Sequence, residues 1–389
     1  MFKKTVIVFI LSVFLFFNTC ICASAMTLKS ECAVLVDAKT GKVLFSQNEN
    51  KVSPPASVTK VMTMLLVMKA VDEGKITLDD EVTISEYASK MGGTQLFIEP
   101  GEKITVRDLL YGVSVESAND AATALGEYVA GSNDAFVAMM NEEAKQLGMK
   151  NTVFKNANGL PENGHVTTAY DIALMSCELA KYDQIFQFTK TWMVDVKVGV
   201  NDEITRTLAN TNKLLVKDKA IDGLKTGYTT EAMHCISATK KQGDLRLIAV
   251  IMRARSADER SSDVLSLLNY GFANYEGKYY VKKGDKVADV NVARGQITIV
   301  EAVADNDIYD IITKGAKDNA EIKVDVPQKI NAPIKAGDVL GTITIIKDGI
   351  EMGKCNITAK TDIEKTNVFM HIGRSIKNFF KVNTVKKTS

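Results

Sequence analysis

The sequence predicts an α+β protein: an antiparallel sheet flanked by helices, then a small all-β domain and a C-terminal amphipathic helix. Three observations predict it. Strand-like runs open the body, helical runs are inserted and strand-like runs return, so one sheet must join both ends of that segment. After about Tyr275, short alternating runs separated by Gly, Asn and Asp take over. The last residues carry an apolar stripe at helical spacing among basic side chains. With 389 residues, 46% apolar and 24% charged, the chain suits two or three folded units and is too apolar for disorder.

The first 25 residues pair Lys3 and Lys4 with the apolar run Val6–Phe17, and Ala23-Ser24-Ala25 fits a small-x-small cleavage site. This is the pattern of a secretory signal peptide cleaved after Ala25. The apolar run is short for a bilayer span of about 20 residues. Export leaves Cys32, Cys177, Cys235 and Cys355, which are widely spaced and are read as buried free thiols.

The body then reads element by element. Glu31–Gln47 forms a hairpin about the turn Lys39-Thr40-Gly41. Pro54-Pro55 stops the extended chain, and from Ser57 a helix apolar nearly all round runs to Gly74, which marks a buried central helix. Residues from about 79 to 180 read mostly as helices and loops, with candidates at Val106–Val115, Asp120–Ala130 and Ser132–Leu147. Thr168 with Asp171 resembles a capping box for a helix through Lys181. Strands return at Trp192–Lys197, His234–Thr239 and Leu245–Arg253, and Ala257–Phe272 is helical. The expected units are a signal peptide at 1–25, a catalytic domain at 26–275, a small all-β domain at 276–361 and a tail at 362–389.

In the tail, Val368, Phe369, Ile372, Ile376, Phe379 and Phe380 form the apolar stripe, and Lys365, Arg374, Lys377 and Lys381 surround it. An apolar face beside a basic face is the pattern of a helix lying in an anionic membrane surface. A helix packed on the protein body is the other reading.

Charge divides along these units. The total of 48 basic and 47 acidic side chains is near neutral. The signal peptide carries +2 and the tail +4, which leaves −5 on the body. A mildly acidic body gives no support to nucleic-acid binding. Three widely spaced histidines and no C-x-x-C argue against a zinc or haem site, so neither metal nor cofactor is expected.

With few histidines, a nucleophile needs another base, and lysine can serve. Ser57-Val58-Thr59-Lys60 begins the central helix, which places Ser57 and Lys60 on one face. The helix start favours developing negative charge, and lysine becomes a base when burial or nearby cations lower its pKa. Ser237–Lys240 also matches S-x-x-K but falls in a strand, where i and i+3 point to opposite faces. Ser117-Ala118-Asn119 and Lys225-Thr226-Gly227 follow in order, with decoys at Ser46-Gln47-Asn48 and Lys39-Thr40-Gly41. The ordered set, with Ser117 lying 57 residues after Lys60, carries the weight.

At these motifs the chain resembles the penicillin-recognising (β-lactamase/transpeptidase-like) serine enzymes. Within them it is similar to the low-molecular-mass penicillin-binding proteins that act as D-alanyl-D-alanine carboxypeptidases. The stretches PPASVTKVMT, ESANDAA, GLKTGYT, RSSDVLSLLNYGF and APIKAGDVLGTITI carry the resemblance from about Ala33 to Ala359. The resemblance implies Ser57 as nucleophile, Lys60 as its base and Ser117 as proton relay to the leaving D-Ala. It implies Asn119 on the substrate backbone, Lys225 and Thr226 at the terminal carboxylate, and an oxyanion hole from the Ser57 and Tyr228 N–H groups beside Gly227. Arg260 aligns with an arginine that helps bind the carboxylate, with Arg253 and Arg255 as nearby alternatives. Tyr228 stands where some similar enzymes have histidine, a change that a backbone donor tolerates. The implied substrate is a peptidoglycan pentapeptide stem ending in D-Ala-D-Ala, with β-lactams as inhibitors, on the outer face of the cytoplasmic membrane.

Three rivals are weighed. A class A-like β-lactamase requires E-x-x-L-N, whereas Glu162 is followed by Asn163-Gly164-His165-Val166. An endopeptidase or transpeptidase would use the same residues. A non-catalytic penicillin-binding sensor or scaffold conflicts with the intact Ser57/Lys60 pair. Asp171 reads as a helix cap or as an organiser of a loop over the site, and His165 and His234 as structural.

Overall fold

A computed structural model describes residues 26–200 and 203–366 of the chain. The signal peptide expected at 1–25 and the tail stripe from Val368 onward lie outside the described residues. The catalytic body is built on a five-stranded antiparallel sheet. Its strands are β1 (Cys32–Asp37), β2 (Val43–Gln47), β3 (Ile221–Thr229), β4 (Met233–Gln242) and β5 (Leu245–Ala254), in the order β2-β1-β5-β4-β3. The first hairpin therefore joins the last one, as the strands-first, strands-last pattern requires. The six longest helices are α1 (Lys60–Asp72), α2 (Val106–Tyr111), α3 (Asn119–Ala130), α4 (Asn133–Gln146), α5 (Ala169–Leu179) and α6 (Ala257–Asn274).

The sheet is buried on both faces, and its strands show it residue by residue. In β1, Cys32, Val34 and Val36 face the core built around α1, while Ala33 and Leu35 face the core under α6. In β5, Ile248, Val250 and Met252 take the first side, and Leu247, Ala249 and Ile251 the second. Period-two alternation thus separates two apolar cores instead of core from solvent. α1 is buried from Lys60 through Met68, which explains why its sequence shows no polar stripe.

Helix starts follow side-chain capping. The hydroxyls of Thr105, Ser132, Thr168 and Ser256 accept from the backbone N–H three residues on. Thr168 is a true cap for α5, although the helix ends at Leu179, short of Lys181. The stretch read as one helix from Val106 to Val115 changes character at Gly112, where Gly112–Glu116 widens into a π turn. Two further pairs escape the sequence reading: Glu81–Thr83 with Lys103–Thr105, and Ile204–Ala209 beside Met193–Val198.

The all-β module holds a six-stranded sheet between Lys286 and Ala359 and a separate pair, Tyr275–Val281 with Ile308–Thr313. It continues past the expected boundary at 361. Ile363 is buried and bridges Ile334, and Lys365 bridges Gly295, so an apolar side chain and its backbone hold this stretch in the module. The module meets the body at the first hairpin turn. Lys39 donates to Asp307 at 2.6 Å and to Tyr279 at 2.9 Å, lies over the Tyr279 ring, and Tyr309 donates to Asp37 at 3.2 Å. The four cysteines at 32, 177, 235 and 355 are free thiols, buried except for half-buried Cys177.

The N-terminal segment is tied to α6 by Asp263, whose buried carboxylate accepts from the Ser30 N–H at 2.7 Å and hydroxyl at 2.6 Å. Asp263→Ala leaves both buried donors unpaired, at a cost of about 1–3 kcal/mol. Urea unfolding checks this, and a loss below about 0.5 kcal/mol would remove Asp263 as the tie.

Candidate active site

The site lies where α1 begins at the edge of the sheet. Pro55 leads into a 3-10 turn, Ala56–Thr59, and α1 proper starts at Lys60. Ser57 therefore sits on the tight turn before the helix, one element earlier than the sequence pattern places it. Its half-buried hydroxyl remains on the Lys60 side, with Nζ 3.3 Å from Ser57 Oγ.

Lys60 is fully buried. Its Nζ donates to Asn119 Oδ1 and to the Asn158 carbonyl, both at 2.6 Å. Burial, reinforced by the charge of Lys225, holds its pKa well below the usual lysine range, and Asp120 opposes that shift. Lys225 is itself buried and lowered to about 7 by burial and by the charge of Arg260. Three basic groups thus stand in series, each making the next harder to protonate.

Ser117 and Asn119 come from the end of the π turn. Gly112 O accepts from the N–H groups of Ser117 and Ala118, which turns the chain sharply, and Ser117 adopts a left-handed φ of 69°. A non-glycine residue in that conformation marks local strain, as functional corners often do. The Ser117 hydroxyl has no hydrogen-bond partner among the described residues, although the residue is only 7% exposed. Asn119 begins α3. Its Nδ2 donates to Gly92 O at 2.7 Å while Oδ1 holds Lys60. Next to it, Asp120 accepts from the N–H groups of Leu96, Phe97 and Ile98, fixing the loop beside the cleft.

The K-T-G residues occupy β3, the edge strand of the sheet, which leaves one row of its backbone groups unused by the sheet. A Cβ on Gly227 would stand 3.0 Å from the backbone N of both Ser57 and Val58, so only glycine lets strand and turn meet this closely. Lys225 Nζ donates to Thr226 O at 3.0 Å, and the Thr226 and Thr211 hydroxyls share a hydrogen bond at 2.7 Å. Tyr228 is 60% exposed, with its ring 4.5 Å from that of His234 on β4.

Arg260 separates cleanly from its neighbours. Arg253 is engaged by Glu31 and by the Glu231 carbonyl, and Arg255 is exposed. Arg260 is buried, spends one long bond of 3.4 Å on Cys235 O, and its Nε has no partner. The second S-x-x-K match breaks apart as strand geometry requires: Ser237 bonds Ser176, whereas Lys240 pairs with Asp218.

Sequence reasoning missed the loop 156–160. Its Asn158 carbonyl is a partner of Lys60, and Thr63 fixes it by donating to Ala157 O at 2.5 Å. Gly159 has φ +84°, and a Cβ there would lie 2.0 Å from Ala56 O, against the turn that carries Ser57. The Asn158-Gly159 dipeptide signals a turn, but a backbone contact leaves no mark in a sequence. Asp171 holds the preceding stretch: its carboxylate accepts from Asn151 N and Thr152 Oγ1. Glu162 is exposed and accepts from Asn156 Nδ2 at 3.1 Å, away from the water-activating role of the lactamase glutamate. Among the described residues, no three His, Cys, Asp or Glu side chains gather as a metal-ligand set.

Comparison with known proteins adds to this geometry. Residues 19–256 match the family profile described as D-alanyl-D-alanine carboxypeptidase, and residues 275–365 match the profile of the C-terminal domain of penicillin-binding protein 5. The chain is 41% identical over 360 residues to D-alanyl-D-alanine carboxypeptidase DacF of Bacillus subtilis, covering 92% of each. It is 31% identical to DacA of Escherichia coli K12, covering 90% of this chain and 88% of that one. Among solved structures, penicillin-binding protein 5 of Haemophilus influenzae matches with a TM-score of 0.67 and 28% identity, over 87% of this chain and 99% of that one. A peptidoglycan synthesis regulatory factor (PBP3) of Streptococcus pneumoniae matches with a TM-score of 0.70 and 28% identity, over 87% and 100%. The expected α+β penicillin-recognising fold with a C-terminal all-β domain is thereby established, while the expected C-terminal amphipathic helix lies outside the described residues.

The buried cations make stability depend on pH. Unfolded Lys225 keeps its proton to an ordinary pKa of 10.5, whereas the folded residue releases it near 7. Between those values unfolding takes up a proton, so this contribution is complete above about 10.5 and is lost as pH falls toward 7. Lys225→Met, of similar size, is expected to flatten the rise in urea midpoint between pH 7 and 10. An identical slope in both proteins would refute the assignment.

Proposed function

The chain belongs to the D-alanyl-D-alanine carboxypeptidase family and is a serine-type hydrolase, and from that premise we propose how its residues carry out the reaction. Ser57 is the nucleophile and Lys60 its base. One observation carries this reading. A neutral lysine has two N–H bonds and one lone pair. Asn119 Oδ1 and the Asn158 carbonyl take the two N–H bonds, so the lone pair is left for the hydroxyl at 3.3 Å.

The substrate is a peptidoglycan stem peptide ending in D-Ala-D-Ala. Ser57 Oγ passes its proton to Lys60 Nζ and bonds to the carbonyl carbon of the penultimate D-Ala. The oxyanion of the tetrahedral intermediate rests on the Ser57 and Tyr228 N–H groups. The close approach of Gly227 to the turn supports that pairing, because a side chain there would drive the two donors apart. The exposed Tyr228 ring is irrelevant to a backbone donor. The C–N bond then breaks, and the leaving amine takes a proton relayed by Ser117, whose hydroxyl has no competing partner among the described residues. Water attacks the resulting ester, with Lys60 again accepting the proton, and restores Ser57.

The terminal carboxylate binds to Lys225, Thr226 and Arg260. Support comes from the unspent donors of Arg260, which has one partnered nitrogen and a buried Nε with none. β-Lactams acylate Ser57 through the same contacts. The signal sequence at 1–25 and the amphipathic stripe beyond Thr366 support an exported enzyme held at an anionic membrane surface. No helix among the described residues is long and apolar enough to cross a membrane.

Two outcomes check this reading. Ser57→Ala is expected to lower D-Ala release from a D-Ala-D-Ala peptide by about three orders of magnitude or more. Equal release by both proteins would remove Ser57 as nucleophile. Truncation after Thr366 spares the Ile363 bridge and is expected to leave hydrolysis intact while shifting the protein from the membrane pellet to the supernatant. Continued sedimentation with membranes would rule out the anchor.

A further inference from the structure

The all-β module has two ends. One meets the body, where Asp307 receives Lys39. The strand Ile299–Ala304 leads to that contact, so its first residue points the other way. At about 3.3 Å per residue, Ile299 stands roughly 17 Å beyond Ala304. The turn 294–298 lies at this far end and joins the strand Lys286–Ala293 to it. It is folded tightly. The Val292 N–H donates to Thr298 O at 2.7 Å, and a Cβ on Gly295 would stand 2.7 Å from Ile297 O and 2.8 Å from Ile363 Cγ2. The last described residues run beside this turn. The Gln296 N–H donates to Glu364 O at 2.9 Å, and the Thr366 N–H donates to Arg294 O at 2.7 Å. The amphipathic stripe begins at Val368, two residues past Thr366. No more than about 7 Å of chain separates the stripe from the turn.

The side chains at this tip have a definite chemistry. Ile297 and Ile299 are 55% and 50% exposed, two isoleucines within three residues. Val300 and Ala302 turn into the module's core, so Ile299 stands on the opposite face. Ile299 is level with Asn291, and Asn291 with Lys329, which places Lys329 on that same outer face. Arg294, Lys329 and Lys365 are exposed, and among the described residues none has an ion-pair partner. The neighbouring carboxylates are already engaged. Glu364 accepts from Gln296 Nε2 at 3.2 Å, and Asp362 accepts from the Ala336 N–H at 2.6 Å. Two apolar side chains among unpaired cations fit an anionic lipid surface.

We propose that the turn 294–299 is a second membrane contact, in which Ile297 and Ile299 enter the headgroup boundary while Arg294, Lys329 and Lys365 meet lipid phosphates. The inference rests on the anchored reading of the tail. A tail helix lying in the surface holds Thr366 there, and the short connection leaves the turn within reach of the headgroups. Each cation near such a surface strengthens binding about fivefold. Two isoleucines are too few to hold a chain that has lost its tail. Their role is orientation: a module tied at Thr366 alone would swivel about that residue, and a second contact sets its tilt.

The test uses the chain from Met26 to Ser389 and vesicles of phosphatidylglycerol and phosphatidylcholine with brominated acyl chains, which quench nearby tryptophan. Trp192 is the chain's one tryptophan, so Trp192→Phe gives a dark background. Into it go either Ile297→Trp or, as control, Ile350→Trp, which is 68% exposed at the hairpin turn between Val339–Lys347 and Ile350–Ala359. Release of D-Ala from a soluble peptide reports that each variant is folded. Emission from Ile297→Trp is expected to be quenched on vesicle binding, and that from Ile350→Trp to be unchanged. In the unlabelled chain, Ile297→Ser with Ile299→Ser is expected to weaken vesicle binding about tenfold or more. A chain that sediments with vesicles while Ile297→Trp stays unquenched overturns the proposal, as does unchanged binding by the double serine variant. A blue shift of Ile297→Trp that grows with protein concentration in the absence of vesicles also overturns it, by making a second copy the cover. All three results leave the tail anchor standing. Failure of the full chain to sediment with vesicles removes the anchor reading itself, and the tip contact with it.

Discussion

A lysine amine buried beside a serine hydroxyl is the constraint around which this body is organised. An ammonium at that position would carry a large desolvation cost, and burial with the charge of Lys225 shifts it toward its neutral form. α1 is enclosed on all sides from Lys60 to Met68. The π turn delivers Asn119 to one N–H, and loop 156–160 delivers a main-chain carbonyl to the other. Thr63, which does not touch Ser57, holds the loop that does this. Arg260 and Lys225 extend the same logic outward, since each buried charge makes the next proton less welcome. A single electrostatic demand accounts for polar groups drawn from four separate stretches of chain.

Much of this was legible in the sequence, for identifiable reasons. The central helix announces itself because total burial removes its polar stripe. The hairpins show as alternating runs, and capping hydroxyls at Ser132, Thr168 and Ser256 write helix starts in residue identities. Motif order singled out the Ser57/Lys60 pair, which the fold brings within 3.3 Å, where single motifs failed, and strand geometry explains why Ser237 and Lys240 part company. What stayed hidden is mostly backbone. The Asn158 carbonyl would serve Lys60 whatever side chain it carried. The difference between a 3-10 turn and the first turn of an α-helix lies in hydrogen-bond register, to which Ser57 gives no clue. The stretch just beyond 361 looked like the beginning of the tail because it is charged, and only Ile363, buried against Ile334, shows that it is still part of the module.

The comparison with lactamase chemistry turns on the same loop. In this chain the segment beside Lys60 supplies a carbonyl, and its nearby carboxylate, Glu162, faces outward at an exposed turn. In the proposed cycle the acyl-enzyme therefore meets no dedicated carboxylate base. Its hydrolysis in that proposed cycle falls to Lys60, which ties both halves to one amine.

The docking of the β module on the first hairpin has a mechanical consequence. Lys39 and Asp37 receive the module at the β1–β2 turn, whereas β3, with the K-T-G residues, forms the opposite edge of the sheet. Four strand spacings of about 4.8 Å separate those edges, and the sheet between them is packed on both faces. A pull applied at the module's end passes through a stiff plate before it reaches Ser57. In the proposed anchored state the enzyme works as a blade on a rigid arm, cutting within a shell whose height above its anchorage is set by the molecule's own dimensions.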